Sequence, residues 1–147
     1  ALTAKYLGSN QKERAYRMGV SLTIAGLVSG LIFAAGFAAA WHSIAGFFTT
    51  SSEVIALLTG NVMLLVCLVQ PLSGIVFVLD GLLIGARDTR YLMWAMLAGG
   101  FAVFVPISWS SLRFGWGLSG IIIGISALMT WRCATNLSRF LSRKWAN

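Results

Sequence analysis

Uncharged stretches long enough to cross a bilayer decide most of what this chain can become. Met18 to Ala40 runs 23 residues without a charge, against the roughly 20 apolar residues a spanning helix needs. Tyr91 to Ser110 repeats the pattern. Trp116 to about Leu137 carries only Arg132, near its end, and Val54 to Ala86 carries only Asp80. Composition agrees: 58% of residues are hydrophobic and 10% charged, where soluble domains carry about 25% charge. The mean hydropathy is +0.83. The expected fold class is all-α, a polytopic membrane bundle of four transmembrane helices at about 18–40, 54–86, 91–110 and 116–137, with the lipid bilayer as its first partner. Helices satisfy their own backbone polar groups, and lipid offers no substitute.

The stretch from Val54 to Ala86 is 33 residues long, or roughly 50 Å as a straight helix. The hydrocarbon core is only about 30 Å thick. It is either one tilted crossing bent at Pro71, with its first turns outside the core, or two half-helices that return to the same side. Charge decides for the single crossing. Lys5, Lys12, Arg14, Arg17, Arg87, Arg90, Arg132, Arg139, Arg143 and Lys144 then share one side, and only Arg113 stands opposite, with His42 and Glu53. Cytoplasmic loops carry such an excess, so both termini are expected in the cytoplasm. Trp41, Trp109 and Trp116 fall at outer ends of spans, and Trp94 and Trp131 near inner ends, as interfacial belts do. Arg132 is expected to snorkel its charge to the interface on its long stem.

Several function classes drop out. The net charge of +7 is divided into short clusters between apolar spans, not gathered on one contiguous basic surface, so no nucleic-acid partner is expected. One histidine, no Cys/His cluster, no phosphate-cradling glycine loop followed by lysine and no nucleophile elbow argue against an enzyme, a metal site or an organic cofactor. His42 reads as an interfacial residue of an outer loop. Cys67 and Cys133 lie in apolar segments and read as buried, inert thiols. The Ala1 start, without a signal peptide, reads as the cut end of a longer protein.

Gly26/Gly30, Gly81/Gly85 and Gly120/Gly124 are Gly-xxx-Gly pairs, which let helix backbones approach closely in lipid. Gly99-Gly100 reads as close packing in preference to a hinge. The chemistry concentrates on the second span. Pro71 deletes one helical hydrogen bond and displaces the carbonyl of Cys67, marking a hinge. Gln70, Ser73, Phe77, Asp80 and Arg87 follow at spacings of 3, 4, 3 and 7, one face of a helix. A polar stripe on a membrane helix should face the bundle interior or a water-filled cavity, and an intramembrane carboxylate is a functional candidate by default. Asp80, Gln70, Ser73 and Phe77 are therefore candidates for a substrate or ion pathway. Asp80 lies about 10 Å of helix rise from Arg87, so an ion pair with Arg87, Arg90 or a neighbouring helix is the structural alternative.

The run from Gln70 to Asp88, with its Gln70-Pro71, Phe77-Val78-Leu79-Asp80-Gly81 and Ile84-Gly85-Ala86-Arg87-Asp88 segments, resembles the tenth helix and following loop of multidrug and toxic compound extrusion (MATE) transporters. It is most similar to their DNA-damage-inducible protein F branch. Tyr6 to Ala15 resembles the loop after helix eight. The resemblance covers nearly the whole chain, as helices nine to twelve. It implies part of the C-terminal six-helix lobe of a twelve-helix antiporter in the bacterial inner membrane. Such a protein exports small organic, often cationic compounds against protons or sodium, and the N-terminal lobe and remaining helices become partners. The sequence departs from the pattern at Arg87, where glycine is commoner, and has Ser73 where sodium-coupled relatives carry an acid. A flippase for lipid-linked sugars, with a more basic cavity, and a non-transporting membrane subunit or scaffold are the alternatives.

Overall fold

The computed structural model describes residues 2–9, 11–48, 50–57 and 62–146. Helices α1 (Leu2–Gly8), α2 (Lys12–Phe48), α3 (Ser52–Leu57), α4 (Met63–Gly85), α5 (Thr89–Gly99), α6 (Val105–Phe114) and α7 (Gly117–Leu141) carry the described chain. A π-helical turn, Gly100–Phe104, joins α5 to α6, and a short 3₁₀ turn, Lys144–Ala146, follows α7. Four helical units are long and apolar enough to cross a membrane: Lys12–Trp41, Met63–Gly85, Thr89–Phe114 and Gly117–Leu141.

These units differ at their margins from the spans expected above. α2 begins at Lys12 and continues past Trp41 through His42, so His42 lies in a helix and not in a loop. The side chains of His42 and Glu53 are outside the described residues. The long second stretch is divided between the end of α3 and the whole of α4, and residues 58–61 between them are not described. At 23 residues, α4 spans about 34 Å, close to the hydrocarbon thickness. The third span widens where Pro106 follows. Proline has no N–H to donate, and the π turn immediately precedes it, with Val105 N–H donating to Gly100 O. Such turns occur where the regular ladder is interrupted.

α4 is the centre of the bundle. It packs on α2 along one side and on α7 along another, while the α5–π–α6 unit packs on α7. The α2/α4 seam is close because glycines line it. A Cβ placed on Gly26 would lie 2.6 Å from Gly74 O, and one on Gly30 would lie 2.6 Å from Gln70 O and 2.7 Å from Pro71 Cα. Gly120 faces Ser111 and Gly124 faces Ser108, so this second Gly-xxx-Gly pair packs too. Among the described residues, a Cβ on Gly81 meets nothing within 4 Å, so no close helix approach is seen at that glycine. Gly99 is buried against Trp131 and Leu128, in keeping with packing.

The well-packed core sits at one end, where Ala15, Leu79, Leu82, Leu83, Leu92, Phe140 and Trp145 cluster. Tyr6 of α1 packs against it, beside Tyr16 of α2. Tyr16 stacks on Phe140 at 5.1 Å, and Phe140 on Trp145 at 5.5 Å. Trp145 Nε1 donates to Phe140 O at 2.8 Å. Elsewhere the large side chains point outward, Ile32 at 67% and Phe101 at 72% exposure. A soluble fold would not leave so much apolar surface bare; a bilayer covers it.

Candidate functional site

The proline turn of α4 and the glycine face of α2 together shape a groove. Its volume is about 480 Å³, and Phe33, Phe37, Gln70, Ser73, Phe77 and Val78 line it with the small residues Gly26, Ser29, Gly30 and Gly74. The local cause is legible. Glycines let the backbones touch at Gly26/Gly74 and Gly30/Pro71, and Phe33, Phe37 and Phe77 rim the groove beside that contact. Ser29 Oγ donates back to Gly26 O at 3.0 Å. Gln70 and Ser73 also line a smaller crevice of about 180 Å³ on the α7 side, with Ile122, Ile125, Ser126 and Met129. The two side chains thus stand on the ridge between two clefts.

Three of the four pathway candidates, Gln70, Ser73 and Phe77, come together in the groove, beside the candidate hinge Pro71. The fourth does not join them. Asp80 turns to α7, where one carboxylate oxygen accepts from Arg132 Nη2 and the other from Asn136 Nδ2 at 2.7 Å. Its counter-ion is on a neighbouring helix, and neither Arg87 nor Arg90 fills that role. This corrects the reading of Arg132 as a snorkelling residue: its side chain is 14% exposed and points inward to Asp80. A carboxylate within reach outcompetes the distant interface for a guanidinium that would otherwise lose its water. Arg87 occupies the position after the α4 C-terminus with φ +63°, a left-handed conformation in which glycine is relaxed.

Sequence reasoning missed a second cluster at the packed end. Asp88 accepts two bonds from Arg139, 2.7 Å from Nε and 3.2 Å from Nη2. The same guanidinium lies 4.8 Å over the Tyr91 ring, whose hydroxyl donates to Thr135 O at 2.8 Å. Arg143 reaches Glu13 at 3.0 Å and covers the Tyr16 ring at 4.1 Å. Arg139 in the last turn of α7 and Arg143 just after it thus tie this end to the α4–α5 loop and to the start of α2. The basic tail read as an orientation signal is also a clamp. The excess of Arg over Lys near the C-terminus was the available clue, since Arg suits bidentate and stacked contacts. Cys67 and Cys133 are free thiols. Among the described residues, no group of His, Cys, Asp and Glu could hold a metal ion.

Comparison with known proteins gives a consistent result. The model of the MatE family matches residues 1–110. Protein DETOXIFICATION 45, chloroplastic, of Arabidopsis thaliana is 32% identical over 124 residues, which cover 81% of this chain and 21% of that protein. Protein DETOXIFICATION 44, chloroplastic, from the same plant is 32% identical over 119 residues, covering 80% and 22%. The chain spans about a fifth of the length of these curated relatives. No solved structure matches it.

Proposed function

This chain belongs to the MatE family, and from that premise we propose that it forms part of a secondary-active exporter of small organic, often cationic compounds. Transport would be driven by the return of protons or sodium. The chain would supply four helices of the C-terminal six-helix lobe in a protein of the DNA-damage-inducible protein F branch. The observation that carries this reading is the groove of about 480 Å³ between α2 and α4. Phe33, Phe37 and Phe77 offer aromatic faces, which attract both planar rings and organic cations. Gln70 and Ser73 offer neutral hydrogen-bonding groups beside them. Pro71 follows the groove residue Gln70 on α4, where a helix lacking one ladder bond bends at lowest cost. Among the described residues no basic side chain lines the groove, which favours an exporter of cations over a flippase for lipid-linked sugar phosphates.

The membrane we propose is the bacterial plasma membrane, with both chain ends cytoplasmic. Nine of the ten basic residues other than Arg132 support that orientation,. The two Arabidopsis relatives are named chloroplastic, so compartment and activity call for separate tests. Protease accessibility of a tag placed after Asn147, in sealed right-side-out and everted vesicles, reports the orientation; cleavage from the outer face would reverse it. For activity, the protein that carries this chain is reconstituted into proteoliposomes, and ethidium flux is followed under an imposed proton or sodium gradient. Flux that requires a gradient and falls severalfold in Phe77→Ala is the expected result. Flux no faster than in empty liposomes would overturn the reading.

A further inference from the structure

Asp80 is the acid that an exporter would first be suspected of using for ion coupling, yet its surroundings fit another role. Both of its carboxylate oxygens are occupied, one by Arg132 Nη2 and one by Asn136 Nδ2. Arg132 and Asn136 are four residues apart on α7, one turn, so a single helix face presents both donors to one carboxylate. The three are enclosed: Asp80 is 9% and Asn136 2% exposed. Asp80 lines neither the α2/α4 groove nor the α4/α7 crevice. Among the described residues, charges near this end of α4 are engaged elsewhere: Arg17 and Arg143 with Glu13, Arg14 with Gln11, and Arg139 with Asp88. Between Met18 and Trp41, α2 has no ionisable residue. On α5, Arg90 is exposed and Tyr91 donates to Thr135 O; on α1, Lys5 is exposed and Tyr6 packs against the core cluster.

We propose that Asp80, Arg132 and Asn136 form a permanent, internally neutral lock that fixes the rotation of α4 against α7, and that the coupling ion is not exchanged at Asp80. A carboxylate that binds and releases a coupling ion needs a path to water; this one is enclosed, its charge is balanced by Arg132, and each of its oxygens already accepts a hydrogen bond. Arg132 depends on the acid in turn. Its Nε is buried with no partner among the described residues, so without Asp80 the guanidinium would be stranded in the bundle. Arg132 and Asn136 are therefore positioning residues. They act on the groove through α4, because the rotation of α4 decides how Gln70 and Ser73 divide between groove and crevice.

The transport arm of the test rests on the export reading; the stability arm does not. In the protein that carries this chain, Asp80→Asn and Arg132→Gln are made singly and together, and Asp80→Leu/Arg132→Met provides an apolar pair of similar size. Thermal midpoints are measured in detergent, and gradient-driven ethidium flux is measured against pH in proteoliposomes. Each single variant should lower the midpoint by about 5 °C or more. At least one double variant should recover most of that loss and transport with the wild-type pH profile. A double variant that regains the midpoint but loses gradient dependence, or shifts the pH profile, overturns the proposal. So do double variants no more stable than the worse single, since a self-contained pair can be replaced as a pair. If wild-type protein shows no gradient-driven flux, the export reading fails, and the midpoints alone decide whether the lock exists.

Discussion

Replacing Gly30 by alanine tests whether the α2/α4 seam is as close as its glycines indicate. An added Cβ would lie 2.6 Å from Gln70 O and 2.7 Å from Pro71 Cα, whereas ordinary contact begins near 3.4 Å. Both obstacles are backbone, so no side chain can swing away. The helices must separate locally by about 0.7 Å, enough to forfeit a quarter to a half of the dispersion energy across the contact. Overpacking of this kind costs about 1–3 kcal/mol. Helix propensity works in the opposite direction, since alanine is favoured over glycine by about 1 kcal/mol in a helix interior. Gly36 supplies the control: it lies on the same helix and a Cβ there meets nothing within 4 Å. Gly81 on α4 is equally open. Gly36→Ala and Gly81→Ala should be neutral or stabilising, and Gly30→Ala should fall below both, with a net cost of up to about 2 kcal/mol after the propensity gain is deducted. The assay is reversible unfolding of the protein that carries this chain, in mixed micelles titrated with denaturing detergent. Three variants of equal stability would refute the close seam, and with it the shape of the groove beside Pro71.

Arg139→Gln and Asp88→Asn should each destabilise by about 1–2 kcal/mol, with a favourable coupling energy in the double-mutant cycle, because the pair is bidentate and only partly exposed,. Trp145→Ala should cost about 3 kcal/mol in the same unfolding assay, since the ring is 3% exposed and stacked on Phe140,; a loss under 0.5 kcal/mol would show that the C-terminal turn is not part of the core. Arg87→Gly should stabilise by about 1 kcal/mol by relieving the positive φ of Arg87,. If it destabilises instead, the Arg87 side chain holds a contact worth more than the backbone strain.

What the sequence made legible follows from which interactions have a periodic signature. Hydropathy located four crossings, because a run of 23 uncharged residues in α2 has few other uses,. Their ends were less legible: a helix that leaves the bilayer can continue through His42 or stop, and hydropathy does not distinguish the two. The spacing of Gln70, Ser73 and Phe77 grouped residues that line one groove, because helical neighbours are fixed by local geometry. The same spacing wrongly implied that Asp80 continues the stripe. Partner choice is a long-range property: Asp80 lies 52 residues from Arg132 and 56 from Asn136 along the chain, and no local pattern couples them. Gly-xxx-Gly spacing likewise meets no close helix at Gly81 among the described residues. The motif states that a helix could approach, and only the arrangement of neighbours decides whether one does. Arg132 shows how the two kinds of information combine. As a lone charge near a helix end it reads as snorkelling, and as one of two unpaired intramembrane charges it reads as half of a pair. Asp80 and Arg132 are the only charged residues within the four expected spans, and an unpaired charge in lipid costs several kcal/mol. Matching them by elimination was therefore the inference available from sequence alone, and the cost of two separate buried charges is the physical reason the fold brings them together.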